Sequence, residues 1–275
     1  MLKFNNISYS YGNKIQALHD VCATVRPGIC LMLGENGAGK TTLLKLAAGN
    51  LTTGQGEIDF DGSNPGERHP DTLSRIFFLP DNYRTPFRNV LDMAEYHAPF
   101  YPHFDAGMLA ENLAAFGMTG REKVKSLSLG NSHKAYLAFA LALRPALLLL
   151  DEPANGLDIQ SKKILRQIMS RCIAEDQTVV VSTHTVADLE LLYDSVMLLS
   201  HGSMVIQATT EEISSRLSFF AGSEAVPGAL YSEAGGGQVF SVVPAAEPYQ
   251  TAVNFELLYS ALMSERAGQV LDALR

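Results

Sequence analysis

No stretch of this 275-residue sequence is long and apolar enough to cross a membrane. A spanning helix needs about 20 unbroken apolar residues, and the most apolar segment, Ala135 to Leu150, is interrupted by Arg144-Pro145. The opening Met1-Leu2-Lys3-Phe4-Asn5-Asn6 lacks the charged-then-apolar pattern of a secretory leader. Cysteine is scarce. Cys22, Cys30 and Cys172 are scattered and odd in number, which argues against a disulfide framework. Cys30, inside an apolar run, reads as a plain core residue. Basic residues are short too: 21 against 29 acidic ones leave a net charge of −8 and a pI near 5.4. Non-specific nucleic-acid binding needs a cationic surface that displaces counterions, so no nucleic-acid partner is expected. Fixed-period repeats and low-complexity segments are also missing. The expectation is a soluble, cytoplasmic protein without direct membrane insertion. What is present is core material: 47% of residues are hydrophobic and 18% charged, as in ordered globular chains. The length suits one large or two modest domains.

Along the chain the texture changes three times. Leu2, Phe4, Ile7 and Tyr9 roughly alternate, and Gly56 to Gly62 is a short alternating strand between turns. Ile29 to Leu33 is a continuous apolar run, as in a strand buried on both faces. Thr41 to Ala48 carries leucines at helical spacing and stops at Gly49, a good helix terminator. From Asn89 to Leu143 apolar positions recur every three or four residues, which predicts an insertion of three or four helices. Ala146–Leu150 and Val179–Val181 return to buried-strand character, with helices expected at Ser161–Ala174 and Val186–Tyr193. Strands alternating with helices imply a parallel sheet with right-handed crossovers. Beyond about Met204, Gly222 to Gly237 is rich in glycine and small residues. Gln238–Val243 reads as a strand and Val253–Met263 as an amphipathic helix. Residues 205–275 hold 8 acidic and 3 basic side chains, so this tail carries most of the net charge.

The sharpest motif is Gly34-Glu35-Asn36-Gly37-Ala38-Gly39-Lys40-Thr41, followed by Thr42, a full phosphate-binding P-loop pattern between a buried strand and an amphipathic helix. Its glycines let successive N–H groups face an anion, and the helix N-terminus adds partial positive charge there. Lys40 would reach the β- and γ-phosphates of a nucleotide and the Thr41 hydroxyl would ligate magnesium. The bland alternative is a glycine-rich turn with a surface lysine. Leu147-Leu148-Leu149-Leu150-Asp151-Glu152-Pro153 ends a fully apolar strand in two carboxylates, which are costly to bury without a cation or a task. Asp151 can organise magnesium and Glu152 can act as general base toward the attacking water; a pair of helix-capping acids is the alternative. His184 follows the strand Thr178–Thr183. The other histidines, His19, His69, His97, His103, His133 and His201, have no such position. In a parallel sheet, ligands gather at the carboxyl ends of strands, and Gly34, Asp81, Asp151 and His184 each follow such an end. That convergence points to an ATPase.

With these residues in view, the chain resembles the nucleotide-binding subunit of an ABC transporter over nearly its whole length. Ser126-Leu127-Ser128-Leu129-Gly130-Asn131 sits where that family has its signature, Asn155-Gly156-Leu157-Asp158 resembles its D-loop, and His184 its switch histidine. Tyr11 resembles the aromatic that stacks on adenine. The resemblance implies two subunits sandwiching two ATP molecules head to tail. Ser128, Gly130 and the helix N-terminus behind them would then contact the γ-phosphate held by the partner's P-loop. Ser128 read alone is an ordinary helix cap. Leu129 and Asn131 depart from the signature's glycine and glutamine. Asp81 stands where the family usually has a glutamine; an aspartate there can coordinate magnesium but adds negative charge near three phosphates, while Asn82 could supply a neutral amide. The helical insertion around Phe100-Tyr101-Pro102-His103-Phe104-Asp105, with the acidic tail, resembles small bacterial exporter ATPases related to peptide-antibiotic resistance systems.

The reading is therefore an α/β protein: a P-loop NTPase core with a mostly parallel sheet, an N-terminal antiparallel β-subdomain, an inserted helical subdomain and a small C-terminal α+β extension. Residues 1–84 would form the first part of the ATP-binding core, 85–145 the helical subdomain, 146–208 the second part of the core and 209–275 the extension. The resemblance implies ATP and Mg2+ as cofactors and a second copy or a paralogous ATPase subunit as dimer partner. It also implies a separate integral membrane permease that would hold the chain at the inner face of the cell membrane, and export as the direction. Two rivals stay open: a soluble ABC-type ATPase, and an ATP-gated regulatory module with weak hydrolysis.

Overall fold

The computed structural model describes residues 1–12, 15–186, 192–245 and 251–275. Most of the helix expected at Val186–Tyr193 lies outside the described residues. The strands are β1 (Leu2–Tyr11), β2 (Ile15–Val25), β3 (Gly28–Leu33), β4 (Gln55–Phe60), β5 (Ile76–Leu79), β6 (Leu147–Asp151), β7 (Thr178–Thr183), β8 (Ser195–Ser200), β9 (Ser203–Thr209), β10 (Leu217–Gly222), β11 (Tyr231–Gly235) and β12 (Gln238–Pro244). The helices are α1 (Lys40–Ala47), α2 (Pro70–Leu73), α3 (Val90–His97), α4 (Ala106–Ala115), α5 (Leu129–Ala142), α6 (Ile159–Cys172), α7 (Thr210–Arg216), α8 (Phe255–Leu262) and α9 (Ala267–Ala273).

The central sheet has the order β5-β6-β7-β3-β8-β9. All neighbours pair in parallel except β8 and β9. Its inner strands are mostly apolar because both faces are covered. Alternate residues go to opposite sides, as strand geometry requires. Leu31, Leu148, Leu150, Val179 and Val181 join a core shared with the helices. Met32, Leu147, Leu149 and Val180 join a second core under α1 and the antiparallel sheet β2-β1-β4. Cys30 lies in that second core, and burial pushes its thiol up to about 12. All three cysteines are free.

Three α-helices, α3, α4 and α5, fill the insertion between β5 and β6. The Asn89, Asp105 and Ser128 side chains cap them, each accepting from the N–H three residues on. Phe139 of α5 is fully buried and sits edge-on to Phe77 of β5, with ring centroids 5.7 Å apart. Phe139→Ala is expected to lower unfolding free energy by about 3–5 kcal/mol, the usual cost of emptying a buried aromatic site. Urea denaturation followed by circular dichroism measures it.

The C-terminal extension holds more strand than the sequence pattern suggests. β10, β12 and β11 form an antiparallel sheet in that order. The glycine-rich stretch serves as its hairpin turn: Gly236 and Gly237 have φ of 59° and 80°, the left-handed pair that a two-residue turn between twisted strands demands. Residues of α8 and of β12 belong to the same hydrophobic core as the central sheet. Among the described residues, no helix is long and apolar enough to cross a membrane.

Candidate functional site

β3, β5, β6 and β7 run parallel and end at one edge, with Leu33 beside Thr183, Asp151 beside Ser182 and Leu79 beside Leu150. The loops leaving these ends carry the residues singled out above. Those after β3, β5 and β6 line a cavity of about 550 Å³, within the usual range for a small-molecule site; His184, after β7, joins them through Glu152.

The P-loop leaves β3 at Gly34 and enters α1 at Lys40. Gly39 has φ of 104°, and a Cβ there would stand 2.7 Å from Leu18 Cδ2 and 2.8 Å from the Ala17 carbonyl. Only glycine lets the loop lie this close to β2. No side chain caps α1, so its N-terminal N–H groups are left for an anion. Lys40 is buried and folds back over the loop, donating to the Gly34 carbonyl at 2.6 Å and to that of Glu35 at 3.2 Å. Burial pulls its ammonium below the ordinary lysine value, against the opposing pull of Glu152 and Asp151. Asn36, Gly37, Gly39, Thr41 and Thr42 line the cavity, whereas Gly34 and Ala38 lie behind it.

Asp151, the last residue of β6, is buried and fully engaged. The Thr41 hydroxyl donates to one oxygen at 2.8 Å and Ser182 Oγ donates to the other. Glu152 has φ of 49°, a left-handed conformation that costs a side-chain-bearing residue about 1–3 kcal/mol. Its N–H donates to the Ser182 carbonyl at 2.9 Å, which holds the turn. The side chain is thereby aimed into the cavity, where His184 Nδ1 donates to it at 2.8 Å and the His184 N–H at 3.3 Å. Asp81, after β5, also lines the cavity. Its two oxygens accept from the Asn155 and Asn82 side-chain amides at 2.9 and 3.0 Å. Tyr11 closes one side, its hydroxyl 3.2 Å from Thr42 Oγ1.

Ser128 and Gly130 are not brought to this cavity. They sit at the start of α5, beside the Asn155–Asp158 loop. A Cβ on Gly130 would stand 2.7 Å from the Gly156 carbonyl, so glycine is what permits the contact. His133, which the sequence did not mark, is buried there and donates from Nδ1 to the Asn155 carbonyl at 2.9 Å. Leu129 is one of the most exposed large apolar side chains of the described residues. Sequence reasoning also missed Ser182; its signal was a hydroxyl at the end of the strand that delivers His184.

This combination of phosphate loop, paired carboxylates and histidine on one sheet edge has known counterparts. Residues 18–155 match the protein-family model described as ABC transporter, which spans half of the sequence. The chain belongs to the ABC transporter family. It is an ATP-binding subunit and an ATPase. Relatives of this ABC ATPase include the ABC transporter ATP-binding protein YtrB of Bacillus subtilis, 30% identical over 72% of this chain and 68% of that protein. The aliphatic sulfonates import protein SsuB 1 of Rhodococcus jostii is 36% identical over 66% of this chain and 73% of its own length. The lantibiotic transport protein SrtF of Streptococcus pyogenes is 29% identical over 75% and 90%. Among solved structures, an ATP-binding subunit of an ABC transporter superposes with a TM-score of 0.68 at 22% identity, covering 78% of this chain and 91% of that one. A dimeric bacterial ABC transporter cassette gives 0.64 at 24%, covering 76% and 98%. At these identities the structural likeness is one of fold.

Proposed function

We propose that this ABC ATPase closes and opens as a dimer, with itself or a paralogous subunit, and drives a separate integral membrane permease. The observation that carries the reading is the meeting of Lys40, Thr41, Asp151 and Glu152 at one cavity, with His184 hydrogen-bonded to Glu152. Glu152 is the general base: its carboxylate reaches the cavity and is oriented by His184, as a positioned base must be. Lys40 and the N-terminus of α1 hold the β- and γ-phosphates. Tyr11 offers its ring to adenine.

Thr41 and Asp151 present oxygen donors of the hard kind that Mg2+ takes, and Asp81 is a further oxygen at the cavity wall. No group of three His, Cys, Asp or Glu side chains that could hold a metal occurs among the described residues. The protein would therefore supply few ligands and phosphate and water the rest, as Mg2+ prefers. When bound, the ion would neutralise phosphate charge. The positions of Ser128 and Gly130, away from the cavity of their own chain, support a head-to-tail partner whose γ-phosphate they meet. Loss of that phosphate removes the anion holding the two chains together, so turnover reopens the dimer.

Export is the favoured direction, supported by the relative named for lantibiotic transport and by the character of the helical insertion. The relative named for sulfonate import is the counterweight. The chain would then sit in the cytoplasm, at the inner face of the membrane. The test is reconstitution in vesicles with any multi-span membrane protein found encoded beside it. The expected result is a severalfold rise in ATPase rate together with movement of solute out of the ATP-containing compartment. A rate unaffected by any such protein would favour the soluble alternative, and the opposite flux would reverse the direction.

A further inference from the structure

Asp81 is bonded unlike the other two acids of the cavity. Hydroxyls donate to Asp151 and a histidine to Glu152. Both Asp81 oxygens instead accept from side-chain amides, Asn155 Nδ2 at 2.9 Å and Asn82 Nδ2 at 3.0 Å. Asp81 lines the cavity and Asn155 does not. Asn155 is a junction of three segments. Its N–H donates to the Glu152 carbonyl at 3.0 Å, within the turn after β6. Its side chain reaches Asp81, just beyond β5, and its carbonyl accepts from His133 Nδ1 of α5 at 2.9 Å. His133 is buried, and its Nε2 has no hydrogen-bond partner among the described residues. Two further contacts seat the same loop on α5. The Gly156 carbonyl lies where a Cβ on Gly130 would approach to 2.7 Å, and Lys134 Nζ stands 3.4 Å from Asp158. Asn155 is thus the short path from the cavity wall to the helix start that carries Ser128 and Gly130.

We infer that Asn155 is a positioning residue with Asp81 as its anchor, and that the pair fixes the start of α5 relative to the ATP cavity of the same chain. Asp81 then serves to hold an amide, a different task from the magnesium coordination its residue type allows. A carboxylate accepting from an amide sets both distance and direction. Ser128 and Gly130 need such a setting, since they must meet a phosphate held by another chain while their own cavity is filled. The inference rests on the proposed head-to-tail dimer.

The test exchanges the two groups in the full-length chain. Asn155→Ala removes the amide, and Asn155→Asp sets a carboxylate against Asp81. In the double variant Asp81→Asn/Asn155→Asp the net charge is unchanged. The new amide at 81 can donate to the new carboxylate at 155, while its oxygen still accepts from Asn82. Either single change at Asn155 should weaken ATP-dependent dimerisation, measured in a Glu152→Gln background, about tenfold, the low end for a hydrogen bond to a charged group. ATP affinity should stay near wild type, because Asn155 is not in the cavity wall. The double variant should return dimerisation to within about twofold, the non-additivity of two groups that act as a pair. Hydrogen exchange of the nucleotide-free chain gives a readout that needs neither turnover nor a dimer. Peptides from the start of α5 should exchange faster in Asn155→Asp and recover in the double variant. A double variant as impaired as Asn155→Asp, or unaltered exchange at α5, overturns the inference. So does a severalfold rise in the magnesium needed by the double variant, which would make Asp81 a metal ligand. A wild-type chain that never dimerises with ATP overturns the proposed function instead, and the exchange result then decides the role of Asn155.

Discussion

Glu152→Gln is expected to lower kcat by about 10²- to 10⁴-fold, the range associated with losing a general base, while ATP still binds. The amide keeps one acceptor for His184 Nδ1, which now donates to the carboxylate at 2.8 Å, so the loop geometry should survive. What the amide cannot do is take a proton from the attacking water. ATP should then remain uncleaved in the site, and the subunits should stay paired. Phosphate release measures the first effect. Gel filtration with and without ATP measures the second, with a dimer peak that persists only in the variant. A Glu152→Gln protein that hydrolyses at the wild-type rate would remove Glu152 from the chemistry.

Lys40→Ala should act on binding. The ammonium now spans the Gly34 and Glu35 carbonyls, and the charges of Glu152 and Asp151 bear on it. Hydrogen bonds to charged groups are worth about 1.5–3 kcal/mol each. Losing two to phosphate oxygens therefore weakens ATP about 10²- to 10⁴-fold. A fluorescent nucleotide titration reads this directly, and affinity within a few-fold of wild type would contradict it. Lys40→Arg is not expected to rescue. The site is buried, and a planar guanidinium cannot replace a compact ammonium there.

Much of the site was legible because its motifs are local. The P-loop needs one strand, one turn and one helix in sequence, and the glycines that permit the turn are themselves the signal. The same holds for Leu147–Glu152, where a fully apolar strand ending in two carboxylates announces both burial and chemistry. The insertion was legible through helical periodicity, and α3, α4 and α5 begin at side-chain caps visible in the sequence. Strands of the smaller sheets were harder. β2 pairs with β1 through several register shifts, which break the alternation that would have revealed it. β10 and β11 are short, with mixed exposure, and gain their partners only from β12.

The sequence by itself determined the nucleotide loop and the paired carboxylates, because each follows from residue type and spacing within one contiguous segment, and the parallel arrangement, because strands and helices alternate along the chain. It also placed most of the net negative charge in the last seventy residues, away from the motifs. Tertiary structure decided which groups answer one another: Ser182 on Asp151, His184 on Glu152, Asn155 on Asp81, and Phe255 on Tyr193. These pairs are separated by tens of residues and join strand ends or helices that only sheet order and packing bring together. No periodicity within a segment encodes such a meeting. The tail that composition marked as a separate acidic piece is, for the same reason, part of the core that the central sheet shares with its helices.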